Sequence, residues 1–353
     1  MDTYNIYKDI NARTQGEIYI GVVGPVRSGK STFIKHFAEK LILPFMSDGA
    51  GKERAKDELP QSAAGRTVMT TEPKFIPREA CVITPAQDIS MKIRLIDCVG
   101  FMIDGATGVV EDGKERLVKT PWYDYEIPFS EAAEFGTRKV IKDHSTVGIV
   151  MTTDGSIGEL PRDSYKAAEA ATIEELKKIG KPFVVVVNSK NPAAKSATEC
   201  VDEIKKAYGA EAVSLDCEQL TLDDVNRTLE LLLNSFPING IEFYFDRWIE
   251  TLPDDNEIKQ AMVECAGQIL DRITYIKDFN KDSIKVENKY IEDVRSEPVD
   301  MADGIIRLSF KVDENLYYDM LSSIAGEKID NEYELINLIK EYAKEKSALS
   351  RYN

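Results

Sequence analysis

The stretch "IYIGVVGPVRSGKSTFIKHF", residues 18–37, sets a β-branched apolar run, a glycine-rich turn and an amphipathic helical repeat in immediate succession. A short Ile/Val run that ends in glycine reads as a strand buried on both faces of a parallel sheet. Beyond it Phe33, Phe37, Leu41 and Leu43 recur near helical spacing, so the glycines have to turn the chain from strand into helix. Gly24, Gly29, Lys30 and Ser31 satisfy GxxxxGK[ST] at that junction. Glycines let the backbone curl until successive N–H groups face inward, and the following helix adds its positive end; the concavity suits phosphate oxygens. Lys30 is expected to reach the β- and γ-phosphates of a nucleoside triphosphate, and the Ser31 hydroxyl to ligate Mg²⁺. Arg27, Ser28 and Thr32 complete the expected nucleotide contacts. Without a strand before it and a helix after it, the same loop would be a glycine turn with a solvent-facing lysine.

The remaining pattern supplies the sheet for such a loop. Apolar strands are expected at "KIRLID" (92–97), "TVGIVMTT" (146–153), "PFVVVVN" (182–188) and "AVSL" (212–215). Helices are expected from Ser130, over 164–180, over 196–208 and over 222–236. Alternating strands and amphipathic helices imply a parallel α/β sheet covered on both faces. Two stretches lose the pattern, 47–75 and the glycine- and acid-rich run that ends near Phe129, and both are expected to be irregular. The alternation stops near Pro237. After it a strand or turn leads into a long helix within 241–279, "DGIIRLSFKV" alternates as a half-exposed strand, and two helices follow. The expected fold is therefore α/β: a P-loop NTPase domain over 1–236 with a mainly parallel sheet, and a smaller α+β domain over 237–353. The second domain carries no chemical motif.

A second phosphate-sensing piece belongs at the end of another parallel strand, and "RLIDCVG" supplies it. Asp97 at the strand exit can hold magnesium through water, and Gly100 gives a DxxG turn whose N–H can meet a γ-phosphate. Thr67, Thr70 and Thr71, in the irregular loop between the two motifs, are candidates to close over the metal and the phosphate. In Ras-like GTPases a glutamine after DxxG orients the attacking water. Phe101 stands there instead and cannot hydrogen-bond. Thr70 or Thr71, and more weakly Glu131, Glu134 or Arg138, remain as candidates for that role; a solvated helix face is the simpler reading of the last three.

After "PFVVVVN" a GTPase of this class carries NKxD, whose carboxylate accepts two N–H bonds from guanine. Here the run is "NSKN": Asn188 matches, Ser189 replaces the lysine and Asn191 the aspartate. An amide offers one acceptor and one donor, so one guanine donor would go unpaired at a cost of about 1–3 kcal/mol. Adenine presents a donor beside an acceptor, which an amide matches. ATP is therefore expected in preference to GTP.

Composition narrows the rest. With 45 Lys+Arg against 61 Asp+Glu the net charge is −16, which repels nucleic acid and anionic lipid from most of the surface. Cys81, Cys98, Cys200, Cys217 and Cys265 show no metal-site spacing and read as buried thiols of a reducing compartment. The first residues have neither the basic segment nor the apolar core of a secretory signal, and no apolar run is long enough to span a bilayer. His36 and His144 read as packing or surface residues. A small-molecule P-loop kinase would need an arginine-rich lid, and "TVMTTEPKF" is poor in arginine.

Taken together, "IYIGVVGPVRSGKSTFIKHF", "DELPQSAAGRTVMTTEPKFIP", "IRLIDCVG", "TPWYDYEIPFSEAAEFGTRKVIKDHSTVGIVMTTDGSIGE" and "KPFVVVVNS" resemble the stage IV sporulation protein A family, spore-coat morphogenetic ATPases of endospore-forming bacteria. The resemblance is specific over the first 236 residues and looser over 237–353. It implies a relative of translation-factor GTPases that has turned to ATP. Hydrolysis would drive self-assembly into a static homopolymer, the basement layer of the coat, in the mother-cell cytoplasm at the outer forespore membrane. It implies nucleotide binding by Lys30 and Ser31, γ-phosphate sensing by Thr70 and Thr71, the strand-end aspartate at Asp97, and coat proteins and a small amphipathic membrane peptide as partners; the metal set expected from the motifs is Ser31, Thr71 and Asp97. Family members are longer, with a further C-terminal domain involved in anchoring, so this chain is expected to be C-terminally truncated. A GTP-dependent switch, or a nucleotide-bound structural protein whose hydrolysis is vestigial, are the alternatives.

Overall fold

The computed structural model describes residues 3–60, 73–86, 89–103, 105, 110–111 and 114–349. In chain order the elements are α1 (Thr3–Arg13), β1 (Glu17–Val23), α2 (Lys30–Phe37), α3 (Ala50–Asp57), β2 (Lys74–Ala86), β3 (Ile89–Asp97), β4 (Val110–Glu111), β5 (Lys114–Glu115), β6 (Leu117–Thr120), β7 (Tyr123–Pro128), α4 (Phe129–Lys139), β8 (Val147–Thr153), α5 (Asp163–Ile179), β9 (Phe183–Asn188), α6 (Lys195–Tyr208), β10 (Ala212–Leu215) and α7 (Leu222–Asn234). There follow β11 (Gly240–Tyr244), α8 (Arg247–Glu250), α9 (Glu257–Leu270), β12 (Ile291–Ser296), β13 (Ile305–Val312), α10 (Glu314–Ala325) and α11 (Glu332–Leu349). Two compact units result. One is Met1–Pro237 with Tyr275–Lys277 and Met301–Gly304; the other is Ile238–Thr274 with Asp278–Asp300 and Ile305–Asn353.

The first unit is built on a six-stranded sheet of order β10-β9-β8-β1-β3-β2. Five of its strands run parallel, and only β2 pairs antiparallel, with β3. Every residue of β8 and β9 is buried, as expected for parallel strands with helices on both faces. The fold is thus the expected α/β P-loop NTPase class with a second, smaller unit. Register aligns the strand ends: Val22 lies opposite Asp97, Thr153 opposite Asn188 and Asn188 opposite Leu215, while β8 continues past Val150, the partner of Val23, to Thr153. Whatever follows these five strands therefore shares one edge of the sheet.

Several expectations needed correction. The stretch 47–75 is not uniformly irregular, because Ala50–Asp57 forms α3 around a single buried contact residue, Ala55. Alanine and long charged side chains are good helix formers even without an apolar stripe. Strand β2 was hidden by Pro77 and the charged Arg78 and Glu79. It is an edge strand, and its pairing jumps from Ile76 opposite Leu95 to Cys81 opposite Ile93, so Pro77–Ala80 bulge out of the ladder where a missing N–H costs nothing. The run before Phe129 contains two short hairpins, β4-β5 and β6-β7. The helix after the phosphate loop also departs from simple spacing. Phe33, Ile34, Phe37, Ala38, Leu41 and Ile42 are buried, and after a wide π-turn over Ala38–Ile42 the side chain of Leu43 is only half-buried.

The second unit has a three-stranded sheet of order β11-β13-β12, with β13 parallel to β11 and antiparallel to β12. The expected alternation of β13 holds: Ile306, Leu308, Phe310 and Val312 are buried, while Lys311 is exposed. α9 covers that face with Met262, Cys265 and Ile269, and Phe243 and Phe245 stack on Phe310 at 5.7 and 6.0 Å between ring centroids. The single long helix expected within 241–279 is instead α8 and α9, separated at Pro253.

Candidate nucleotide site

The loop 24–29 leaves β1 and enters α2 through positive-φ backbone at Gly24, Arg27 and Gly29. Gly24 has φ 128°, and a β-carbon there would lie 2.2 Å from the Met151 carbonyl oxygen. Gly100 has φ 96°, and a β-carbon there would lie 2.0 Å from Gly24 O and 2.7 Å from the Lys30 ammonium. Gly29 caps α2 in the left-handed conformation, and Arg27 holds φ 61° at the tip of the loop. The loop is also pinned by its neighbours: Ser28 Oγ donates to Pro25 O at 2.9 Å, and Val26 N–H donates to Phe101 O at 3.0 Å.

Lys30 is only 6% exposed, and its Nζ donates to Pro25 O at 2.6 Å and Gly24 O at 3.3 Å. Burial pushes its pKa down, and the nearby Cys98 and Asp97 oppose the shift. An ammonium held by neutral carbonyls in a dry pocket is short of negative charge, which is what an entering phosphate supplies. Asp97, at the end of β3, accepts a 2.7 Å hydrogen bond from Ser31 Oγ on Oδ2. Its other oxygen, Oδ1, is buried and, among the described residues, has no partner in hydrogen-bond geometry. Burial raises the Asp97 pKa, and the Ser31 bond and Lys30 work against it. A hydroxyl and an orphaned carboxylate oxygen side by side form an oxygen donor set suited to Mg²⁺, directly or through water. Thr32 follows, half-buried, in the first turn of α2.

Gly100, the expected γ-phosphate contact, donates its N–H to Thr137 Oγ1 at 3.2 Å. Thr137 is fully buried on α4 and passes its own proton to Ala133 O at 2.7 Å. Meeting a phosphate oxygen would require Gly100 to exchange that partner. Phe101 faces the core, packed with Val26, Ile103, Tyr165 and Ala168, so the position after DxxG offers packing and no polar group. Of the weaker candidates, Arg138 pairs with Glu134 at 2.8 Å on a half-exposed helix face and Glu131 is exposed, in keeping with solvation. Thr67, Thr70 and Thr71 lie outside the described residues. His36 pairs with Glu39, and His144 stands edge-on to Phe75 at 5.5 Å, in keeping with packing and surface roles.

On the base side, Asn188 is buried with both ends of its amide engaged. Nδ2 donates to Ser28 O at 3.1 Å, and Oδ1 accepts Cys217 N–H at 3.2 Å. It therefore braces the phosphate loop from the end of β9, and a nucleotide would have to share it. Asn191 is exposed, its loop shaped by its N–H to Ser189 Oγ and its carbonyl to Ala194 N–H. The motif reading missed Thr137, Cys217 and Asp154. Asp154 directly follows β8, the same kind of strand-end station as Asp97, and that position was the signal available for it.

A phosphate loop between the first strand and its helix, with a carboxylate at the end of the neighbouring parallel strand, defines a P-loop nucleotide-binding protein. Residues 1–237 match the ATPase domain of stage IV sporulation protein A, and residues 238–353 match the middle domain of the same protein. The chain belongs to the stage IV sporulation protein A family. It is 40% identical over 345 residues to stage IV sporulation protein A of Clostridioides difficile, covering 97% of this chain and 70% of that one. With the Bacillus subtilis protein it shares 38% identity over 348 residues, 98% of this chain and 71% of the relative. Among solved structures, a dimerization-deficient mutant of Toc33 from Arabidopsis thaliana aligns at 9% identity with TM-score 0.39, over 65% of this chain and 90% of that chain. Translation elongation factor SelB from Methanococcus maripaludis, in complex with a GTP analogue, aligns at 13% identity with TM-score 0.34, over 64% of this chain and 35% of the other. Among the described residues no helix is long and apolar enough to cross a membrane.

Proposed function

We propose that this chain binds and hydrolyses ATP with Mg²⁺, and that turnover drives self-assembly of the whole protein into the basement layer of the spore coat at the forespore surface. The observation that carries the chemical part is the pairing of a buried, carbonyl-held Lys30 with an Asp97 carboxylate that has one oxygen on Ser31 and the other orphaned. Lys30 would grip the outer phosphates, and the first-turn N–H groups of α2, which have no intrahelical acceptor, would receive phosphate oxygens. Ser31 and Asp97 would hold Mg²⁺, with Thr71 completing the set; the metal supplies neutralisation of the charge between the β- and γ-phosphates. Thr70 and Thr71 would sense the γ-phosphate. An amide at Asn191 supports adenine over guanine, and a GTP-dependent switch is correspondingly disfavoured.

Phosphate release from ATP by the purified protein is the test. Lys30→Ala should abolish it, and a Thr70→Ala, Thr71→Ala double variant should slow it while retaining binding. Hydrolysis that survives in Lys30→Ala would remove the loop from the chemistry. Sedimentation of the full-length protein with ATP against a non-hydrolysable analogue then reads whether assembly follows cleavage. A second reading, a nucleotide-bound structural protein, is favoured by Phe101, whose buried ring occupies the place of a water-orienting amide. It predicts tight ATP binding, no phosphate release and assembly with the analogue. Coat proteins and a small amphipathic membrane peptide are the partners this reading implies.

A further inference from the structure

We infer that Asp154 is a positioning residue for base recognition: through Ser189 and Ser196 its carboxylate holds the loop bearing Asn191 in the arrangement that suits adenine. The inference rests on the reading that the site takes ATP in preference to GTP.

Asp154 follows Thr153, the last residue of β8, which lies opposite Asn188 at the end of β9. Its Oδ1 accepts the Ser156 N–H at 3.0 Å and the Ser156 hydroxyl at 2.6 Å. Its Oδ2 accepts the Ser189 hydroxyl at 2.9 Å and the Ser196 hydroxyl at 3.1 Å. One carboxylate thus ties together its own turn, the end of β9 and the first turn of α6. Both oxygens carry two donors, so no lone pair is left for a base, and Asp154 acts only through what it holds.

What it holds is a set of hydrogen-bond directions. A serine that must donate to a carboxylate has only lone pairs to offer elsewhere. The Ser156 hydroxyl accordingly accepts the Lys190 N–H at 3.0 Å, and the fully buried Ser189 hydroxyl accepts the Asn191 N–H at 3.2 Å. Burial alone would raise the Asp154 pKa, but the donors from Ser156, Ser189 and Ser196 outweigh it and keep the carboxyl below its ordinary value, so the group is charged near neutral pH. Asn188 anchors the same loop from the other side, through Ser28 O of the phosphate loop. The span between the phosphate cradle and the base-reading amide is therefore set at both ends. An amide at 154 keeps the shape and loses the polarity. Its NH₂ would force one serine to accept from it, in competition with the Lys190 or Asn191 N–H.

The experiment is isothermal titration of the purified protein with ATP, GTP and inorganic tripolyphosphate in the presence of magnesium. In Asp154→Asn, ATP should bind about tenfold more weakly with GTP and tripolyphosphate unchanged, so that the preference for ATP over GTP falls by about the same factor. Ser196→Ala removes one donor at an exposed position and should move the preference in the same direction by about two- to threefold; it carries the test should the first variant not fold. Equal weakening of ATP, GTP and tripolyphosphate would mean that Asp154 merely supports the strand ends, and would overturn the inference. A wild-type preference for ATP that persists in both variants sinks this inference alone, whereas a wild-type protein that binds GTP as tightly as ATP sinks the adenine reading with it.

Discussion

The two sheets of the molecule face opposite problems. In the first unit, β8 and β9 are buried along their whole length and level strand ends expose loops with positive φ at Gly24, Gly29 and Gly100. In the second, β13 buries alternate residues under α9, Lys311 points to solvent, and the charged groups pair on the surface, as Arg307 does with Glu242 at 2.9 Å. The first unit carries buried polar groups, among them Lys30 at the start of α2, Glu169 on α5 and Asn188 at the end of β9; the second has a core of apolar side chains. A sheet wrapped on both faces can hold desolvated charges at its strand ends, where a ligand completes them. A sheet with one covered face holds itself together and leaves its polar groups in water. The proposed chemistry belongs to the first, and single substitutions should separate the two.

The largest effect on phosphate release is expected from Lys30→Ala. Phosphate release should fall by about a hundredfold or more, while thermal unfolding in the absence of nucleotide moves little, because an ammonium disfavoured by burial is lost. A variant that unfolds at much lower temperature would place Lys30 among the stabilising groups instead. Next comes Arg162→Ala. Arg162 meets Glu169 through two hydrogen bonds of 2.6 and 2.9 Å, and Glu169 is 2% exposed, so the variant strands a buried carboxylate at about 3–5 kcal/mol in denaturant titrations. A cost below ~1 kcal/mol would mean that water reaches the pair and that the first unit is less dry than its strand ends suggest. Ile306→Ala, in the core of the second unit, should cost about 2–4 kcal/mol. The unfolding transition should move, and phosphate release at low temperature should stay unchanged; lost release would tie the second core to the site. The smallest effect belongs to Arg138→Ala. Its partners Glu134 and Glu175 are partly solvated, and both stability and phosphate release should stay within about 0.5 kcal/mol of wild type. A large loss of release would bring Arg138 into the chemistry.

Much of this was legible without coordinates. The strands at 92–97, 146–153, 182–188 and 212–215 recur almost unchanged, because a continuous Val/Ile run has few alternatives to a buried parallel strand. The phosphate loop was readable because its chemistry is local. Glycine spacing, lysine and serine all act within one turn of each other. What escaped shows where locality ends. Strand β2 contains Pro77 and charged residues that argue against a strand, and it exists because the free edge of β3 accepts it there. Phe101 stands where a glutamine is expected, yet only its packing against Val26 and Tyr165 makes it part of a small core. Thr137 and Asp154 carry no motif at all.

From residue order alone come the strand-loop-helix junction, the lysine and hydroxyl it presents, and the alternation that demands a two-faced sheet. These follow from backbone preference and spacing along a few residues, which folding cannot rearrange. Folding itself supplies everything that joins residues far apart: Asp97 meeting Ser31, Asn188 reaching back to Ser28, and Asp154 gathering Ser189 and Ser196. Those contacts exist because parallel pairing brings distant strand ends level, and a hydrogen bond a few ångströms long cannot be inferred from letters dozens of positions apart.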